Sequence, residues 1–371
     1  MNELFVRPTL QTYKSCKEFA EDYKIGKDDL VISNEYIYNP YFGSLHLECQ
    51  VVFQEKYGAG EPTDEMLEAI YRDLDKSYRR VIAIGGGTII DISKVLALKT
   101  VSPLENLYDD AALIKKDKTL VIVPTTCGTG SEVTNISIFA LLKKGTKKGL
   151  VSEAMYADFA VLVPELLEKL PVKVFAASSI DALIHAVESS LSPKATPTTK
   201  LFGYKAIDMI LSGYKVIAQK GLDARVPLMA DFLLASTYAG IAFGNAGVGA
   251  VHALSYPLGA AHHVPHGESN YVLFAGVMNH YMEIKKDGEI AALNKYIAGI
   301  LGCDAGKVYA ELEKLLGFVM ERKPLSAYGM TEAEIQSFTD SVIANQQRLL
   351  ANNFVFLDRD RIVKIYTEMY K

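Results

Sequence analysis

The feature that most restricts this chain is a change of pattern near Leu170 and Pro171. Before it, short apolar runs alternate with helical stretches; after it, strand patterns stop. The runs L30-V-I-S33, Q50-V-V-F53, V81-I-A-I84, L120-V-I-V123 and F159-A-V-L-V163 are four or five residues long. Continuous runs of that length suit strands covered on both faces. Between two of them lies P62-T-D-E-M-L-E-A-I-Y-R-D-L74, with Thr63 or Asp64 as N-cap and apolar residues at helical spacing. The alternation predicts an open, mainly parallel, Rossmann-like α/β sheet. Beyond Pro171, helical patterns cover 178–190, 197–218, 226–243, 267–283, 288–300, 304–316, 331–350 and 359–370, an all-α domain. A chain of 371 residues exceeds one ordinary core, so the expected domains are 1–170 and 171–371. The run L-L-K-K-G-T-K-K at 141–148 reads as a solvated turn between strands.

Charge and composition exclude several classes. A formal net charge of −5 argues against nucleic acid or an anionic membrane as partner. Cys16, Cys49, Cys127 and Cys303 are scattered without a C-x-x-C, so neither a zinc knuckle nor a disulfide framework is expected. The start M-N-E-L-F-V-R-P has no signal-peptide apolar run, and no apolar segment is read as long enough to span a bilayer. The expected location is the cytoplasm.

Two loops follow strands in the first half. V81-I-A-I-G85-G-G-T-I-I-D-I-S-K94 is a strand, three glycines and a helix. Gly85, Gly86 and Gly87 permit close approach of a ligand and positive φ. The helix starting at Thr88 offers free N–H groups and a positive dipole end to a phosphate. Ile90 occupies the last glycine's place in G-x-G-x-x-G, so the turn is not the standard fingerprint. The second loop, P124-T-T-C-G-T-G-S-E-V-T134, supplies hydroxyls from Thr125, Thr126, Thr129 and Ser131. Both loops fall at the carboxyl edge of a parallel sheet, where ligands bind, and together favour a dinucleotide.

Five of the seven histidines lie between Ser178 and His266. Asp181 and His185 are four residues apart in an otherwise apolar run, which puts both on one helix face. A carboxylate buried there without a partner costs several kcal/mol or takes up a proton. A divalent cation removes that problem, and oxygen and imidazole ligands suit iron, zinc, manganese or nickel. His252 and His266 are separated by Pro257, Gly259 and Pro265, so they are expected on two helices that meet at a break. One Asp and three His leave room for water or a substrate oxygen. A cation and a nicotinamide facing one cleft suggest metal-assisted hydride transfer.

The motifs G85-G-G-T-I-I-D91, P124-T-T-C-G-T-G-S-E132, D181-A-L-I-H185, G249-A-V-H-A-L-S-Y-P-L-G259 and V264-P-H-G267 resemble, in this order, the iron-containing (group III) alcohol dehydrogenases along nearly the whole chain. That resemblance implies a dehydroquinate synthase-like fold with a dinucleotide-binding N-terminal domain and a catalytic helical one. It implies Fe2+, with Zn2+ as alternative, on Asp181, His185, His252 and His266. It also implies NAD(H), with the pyrophosphate on Gly86, Gly87 and Thr88 and Asp91 near the nicotinamide end. Thr125, Thr126 and Thr129 would line the cofactor cleft, and Lys147 or Lys148 would reach the ribose. A homodimer or larger assembly is the family-level expectation. Within the family, F53-Q-E-K-Y-G-A-G-E-P-T-D-E-M66 and N34-E-Y-I-Y-N-P40 most resemble the 4-hydroxybutyrate dehydrogenases, which interconvert 4-hydroxybutyrate and succinate semialdehyde.

Three positions depart from the family pattern. Tyr256 replaces the second His of H-x-x-x-H, so Tyr256, His262, His263 or water must carry the proton. A phenol, with a pKa of about 10, is a poorer base at neutral pH. Asn34 stands where an acid often reads the adenosine ribose, which weakens the case for NAD. Glu61 stands where an Asn is common, and its charge disfavours an extra phosphate. The alternatives are another short primary alcohol as substrate, or a sugar-phosphate cyclase of the dehydroquinate synthase type. The latter uses one Glu and two His, unlike the set here. A protein that binds metal or nucleotide without catalysis is the remaining rival.

Overall fold

A computed structural model describes residues 2–371, which cluster into two compact units. Val6–Leu170 form one; Pro171–Lys371, joined by the segment ending at Phe5, form the other.

The first unit is built on a six-stranded parallel sheet. Its strands are β1 (Thr9–Thr12), β2 (Asp29–Ser33), β3 (Gln50–Phe53), β4 (Arg80–Gly85), β5 (Thr119–Pro124) and β8 (Phe159–Leu162), in the order β1-β8-β5-β4-β2-β3. Every pairing is parallel. The five apolar runs are all strands, and β2, β4 and β5 are buried almost throughout. Each fully buried Val, Ile or Leu stabilises the fold by about 1.5–3 kcal/mol. At the opposite strand ends Arg80 clamps Asp29 with two hydrogen bonds, Nε to Oδ1 at 2.6 Å and a terminal nitrogen to Oδ2 at 2.7 Å. That fork fixes β2 against β4.

Two features escape the apolar-run reading. β1, T-L-Q-T, is an exposed edge strand without an apolar run. A separate antiparallel hairpin joins β6 (Ile136–Leu141) to β7 (Thr146–Val151). The expected solvated turn at 141–148 is therefore half strand: only residues 142–145 turn, and Lys147 and Lys148 lie on β7. The sequence T-K-K-G-L-V has no apolar period because only one residue of β7, Leu150, is buried.

The second unit is helical. We label α1 (Glu35–Phe42) and α2 (Gly87–Leu96) in the sheet unit, then α3 (Val172–Leu191), α4 (Pro197–Lys220), α5 (Met229–Ala246), α6 (Ala250–His262) and α7 (His266–Ile284). α3 is the centre: α4, α5 and α7 all pack on it. From Ser179 to Leu191 every residue of α3 is buried, which is why this helix is apolar nearly all round. α3 and the segment Leu222–Ala246 reach the length and apolarity of a membrane span, contrary to the sequence expectation. Most of α3 is instead covered by protein, and it carries Asp181, His185 and Glu188.

His252 and His266 lie on two helices as expected, but the break falls at Pro265 and not at Pro257 or Gly259. α6 continues through Pro257 and Gly259 and ends at His263, which takes the left-handed conformation at φ 55°. Proline removes one N–H but does not end a helix held by neighbours on other faces; the chain turns at His263–Pro265 instead. The expected helix 331–350 is likewise two, Glu334–Asn345 and Gln347–Leu350.

Candidate functional site

The helical unit brings four side chains to one point. The ligand-type atoms of Asp181, His185, His252 and His266 all lie within 4.8 Å of one another. From Asp181, Oδ2 is 3.8 Å from His185 Nδ1, while Oδ1 is 3.6 Å from His252 Nε2 and 3.8 Å from His266 Nε2. Asp181, His185 and His252 are buried; His266 is partly exposed and forms the open side. These separations exceed hydrogen-bond length, so the groups surround a gap rather than bond directly.

Each member is held from behind. Asp181 and His185 share one face of α3, and Glu188 follows on it at helical spacing. The Glu188 carboxylate accepts the Val251 backbone N–H at 2.7 Å and lies 2.6 Å from His252 Nδ1. That contact turns His252 Nε2 toward Asp181, where it is buried with no hydrogen-bond partner. The His185 ring is stacked between Phe243, at 4.3 Å, and His252, at 4.6 Å. Asn270, one turn beyond His266 on α7, donates to Asp181 Oδ1 at 2.7 Å and lies 3.2 Å from His266 Nε2.

Gly267 makes this convergence sterically feasible. A Cβ there would sit 2.0 Å from the Ala177 carbonyl oxygen and 3.2 Å from Asp181 Cβ. Only a glycine lets the start of α7 press onto α3 and bring His266 to Asp181.

The electrostatics agree with the geometry. Burial would raise the Asp181 pKa, but the imidazoles of His185, His266 and His252 hold the carboxyl well below the usual carboxylate range. Burial would lower that of His252, but Asp181 and Glu188 outweigh it and push the imidazole up to about 9. A buried nitrogen without a partner, beside a carboxylate kept ionised, is the donor set a divalent cation requires. The residues present therefore fit a metal.

Of the three candidates for the proton path, Tyr256 packs its ring 6.0 Å from that of His266. His262 is engaged elsewhere: its Nε2 lies 3.1 Å from Glu334, and its ring faces Phe338. His263 is exposed and caps the end of α6. The structure thus brings Tyr256 to the cluster and ties His262 to another helix.

In the sheet unit, the two loops face each other. Gly86 is the N-cap of α2, and the helix begins at Gly87. A Cβ on Gly86 would lie 3.5 Å from Thr126, and one on Gly87 3.4 Å from Thr129. None of the three glycines has positive φ, contrary to expectation. Gly85 is required instead because a Cβ would meet the Ile89 side chain at 2.4 Å. Thr88 Oγ1 donates to the Gly60 carbonyl at 2.9 Å. Thr125 is buried, its N–H bonded to Gly85 O at 3.1 Å, and Thr129 Oγ1 accepts the Ser131 N–H at 3.3 Å. Asp91 Oδ2 accepts the Ile138 N–H at 3.0 Å, and burial pushes its pKa up to about 6. That bond ties α2 to the β6–β7 hairpin. Lys147 pairs with Glu61 at 2.6 Å, whereas Lys148 lies over the Tyr108 ring. Asn34 sits at the end of β2, its amide donating to Glu55 at 2.9 Å.

Glu188, Asn270 and Phe243 were not identified from sequence, and Gly267 was noted only as part of V264-P-H-G267. Glu188 and Asn270 stand at i+3 from His185 and i+4 from His266, so helical spacing could have found them.

Comparison with known proteins agrees with this architecture. Residues 11–164 match the iron-containing alcohol dehydrogenase family, and residues 175–370 match its C-terminal part. The chain is 49% identical over 371 residues to the 4-hydroxybutyrate dehydrogenase of Clostridium kluyveri, covering 100% of both chains. It is 35% identical over 319 residues to long-chain-alcohol dehydrogenase 1 of Geobacillus thermodenitrificans, covering 84% of this chain and 78% of that one. The fold matches that of sulfoacetaldehyde reductase from Bifidobacterium kashiwanohense, solved in complex with NAD+. The TM-score there is 0.85 at 23% identity, over 100% of this chain and 99% of that one. A parallel α/β sheet unit and a helical unit that carries a buried Asp/His cluster able to hold a metal ion define a two-unit protein of metal-site type. The chain belongs to the iron-containing alcohol dehydrogenase family and is an oxidoreductase. Matches in both halves favour that reading over the sugar-phosphate cyclase.

Proposed function

We propose that the chain interconverts 4-hydroxybutyrate and succinate semialdehyde, using NAD(H) and a divalent cation. The cation is Fe2+, with Zn2+ as the alternative, held by Asp181, His185, His252 and His266. The observation that carries this reading is the meeting of three imidazoles and one ionised carboxylate around a gap, with His252 Nε2 left without a partner. The choice of substrate is supported by the full-length relative at 49% identity. When bound, the cation supplies Lewis acidity to a substrate oxygen, and the nicotinamide supplies or accepts hydride.

The chain's own groups do the rest. Glu188 fixes the His252 ring so that Nε2, and not Nδ1, is offered to the cation. Asn270 keeps one Asp181 oxygen oriented through its amide. Tyr256, beside His266, is the group we assign to the proton path. Gly86, Gly87 and Thr88 present the start of α2 to the cofactor pyrophosphate, and Thr125, Thr126 and Thr129 border that loop. Lys147, next to Glu61 and the Gly60 turn that accepts from Thr88, is preferred over Lys148 as the ribose contact.

A substrate panel tests the reading. Succinate semialdehyde with NADH should be reduced with a kcat/KM at least ~10-fold above that of uncharged aldehydes of like length. Equal or better turnover of the uncharged aldehydes would reject the substrate and leave the family standing. The reading further takes the enzyme as a cytoplasmic homodimer or larger. A monomeric mass by light scattering would refute the assembly.

A further inference from the structure

We propose that Glu55 reads the adenosine ribose and makes the chain select NAD(H) over NADP(H). The inference rests on the dinucleotide reading above and deepens it.

The register places three strand ends side by side. Ile32 of β2 is paired with Ala83 of β4, and Ser33 with Phe53 of β3. Neighbouring strands lie about 4.8 Å apart. The glycine turn after β4, Asn34 after β2 and the turn Gln54–Tyr57 after β3 therefore follow one another along the same sheet edge. In doubly wound sheets a carboxylate at the end of the strand beside the phosphate turn binds the ribose 2′-hydroxyl. Asn34, at that place, is neutral.

A carboxylate is nevertheless there, brought from β3. Glu55 Oε2 accepts from Asn34 Nδ2 at 2.9 Å, and Oε1 accepts the Glu35 N–H at 2.6 Å. The Tyr36 hydroxyl donates to Asn34 Oδ1 at 3.3 Å, which keeps the amide nitrogen turned to Glu55. Each carboxylate oxygen retains a lone pair for a ribose hydroxyl. Glu55 is exposed, and among the described residues no Lys or Arg forms an ion pair with it, so its charge stands uncompensated. A 2′-phosphate at the same place would meet that charge directly. Asn34 thus acts as the tether, and Glu55 supplies the charge that an aspartate at position 34 would have carried.

Fluorescence titration of the purified protein with NADH and with NADPH tests this without reference to turnover. The wild type should bind NADH at least ~10-fold more tightly than NADPH, and Glu55→Gln should shrink that ratio by ~10-fold, partly by tightening NADPH. Glu55→Asp, which keeps the charge, should keep NADPH excluded. Glu55→Ser carries the same test if the glutamine variant does not fold. Tight NADH binding with an unchanged ratio in the neutral variants overturns the role of Glu55 alone. A wild type that prefers NADPH also overturns it, while a wild type that binds neither dinucleotide overturns the cofactor reading beneath it.

Discussion

Glu188 decides which nitrogen of His252 faces the cluster, and it does so with one contact of 2.6 Å. In Glu188→Gln the side chain can still accept the Val251 N–H through its oxygen. Its amide nitrogen, however, would face Nδ1 as a donor and drive the ring proton to Nε2. The expected result is a metal affinity lower by about 10–100-fold with the fold retained, read by competition with a chelator and by circular dichroism. An unchanged affinity would remove Glu188 from the site. His252 also gives the metal-free protein a pH signature. Its pKa is raised to about 9 from 6.5, so protonation favours the folded state. That contribution is complete below about pH 6.5 and is lost as pH rises through about 9, a difference on the order of a few kcal/mol. Asp181, held low, contributes in the other direction: its share is present at neutral pH and is lost only in strong acid. The chelated protein should melt at a lower temperature at pH 9 than at pH 6.5. A flat profile over that window would contradict the burial of a charged His252.

At the scale of elements, the site depends on how closely α7 approaches α3. Gly267→Ala places a methyl group against backbone that cannot rotate away, 2.0 Å from the Ala177 carbonyl oxygen. The start of α7 must retreat, at a cost of about 1–3 kcal/mol or more, and His266 retreats with it. We expect a lowered melting temperature together with loss of bound metal, measured by calorimetry and elemental analysis of the same sample. Full metal content in a stable Gly267→Ala variant would show that the contact is not needed. The strands were legible because four of them, β2, β4, β5 and β8, are buried on both faces and read as unbroken apolar runs, and β3, a half-buried edge strand, carries one as well. β1 and β7 were not, since an exposed strand need carry no apolar period. The run of α6 through Pro257 was also hidden, because packing on other faces overrides a local breaker.

For the whole molecule, the alternation of strands and helices before Pro171 and its absence afterwards were enough to give the fold class. The four clustered side chains were legible as residue types at helical spacing, since Asp181 and His185 lie on one turn-repeat of α3. Pro265 also marked the turn between the helices of His252 and His266, but how closely the second helix returns was not legible, because it rests on the Gly267 contact, which is tertiary. The supporting shell of Glu188 and Asn270 is likewise a product of packing between α3, α6 and α7. The central claim is that these four groups hold one catalytically required divalent cation. Its most direct measurement is elemental analysis paired with NADH-dependent reduction of succinate semialdehyde, before chelation, after it, and after return of Fe2+. The account predicts one cation per chain, activity lost with it and restored on its return, and neither cation nor activity in His266→Ala. Undiminished turnover by protein shown to be free of metal would contradict it.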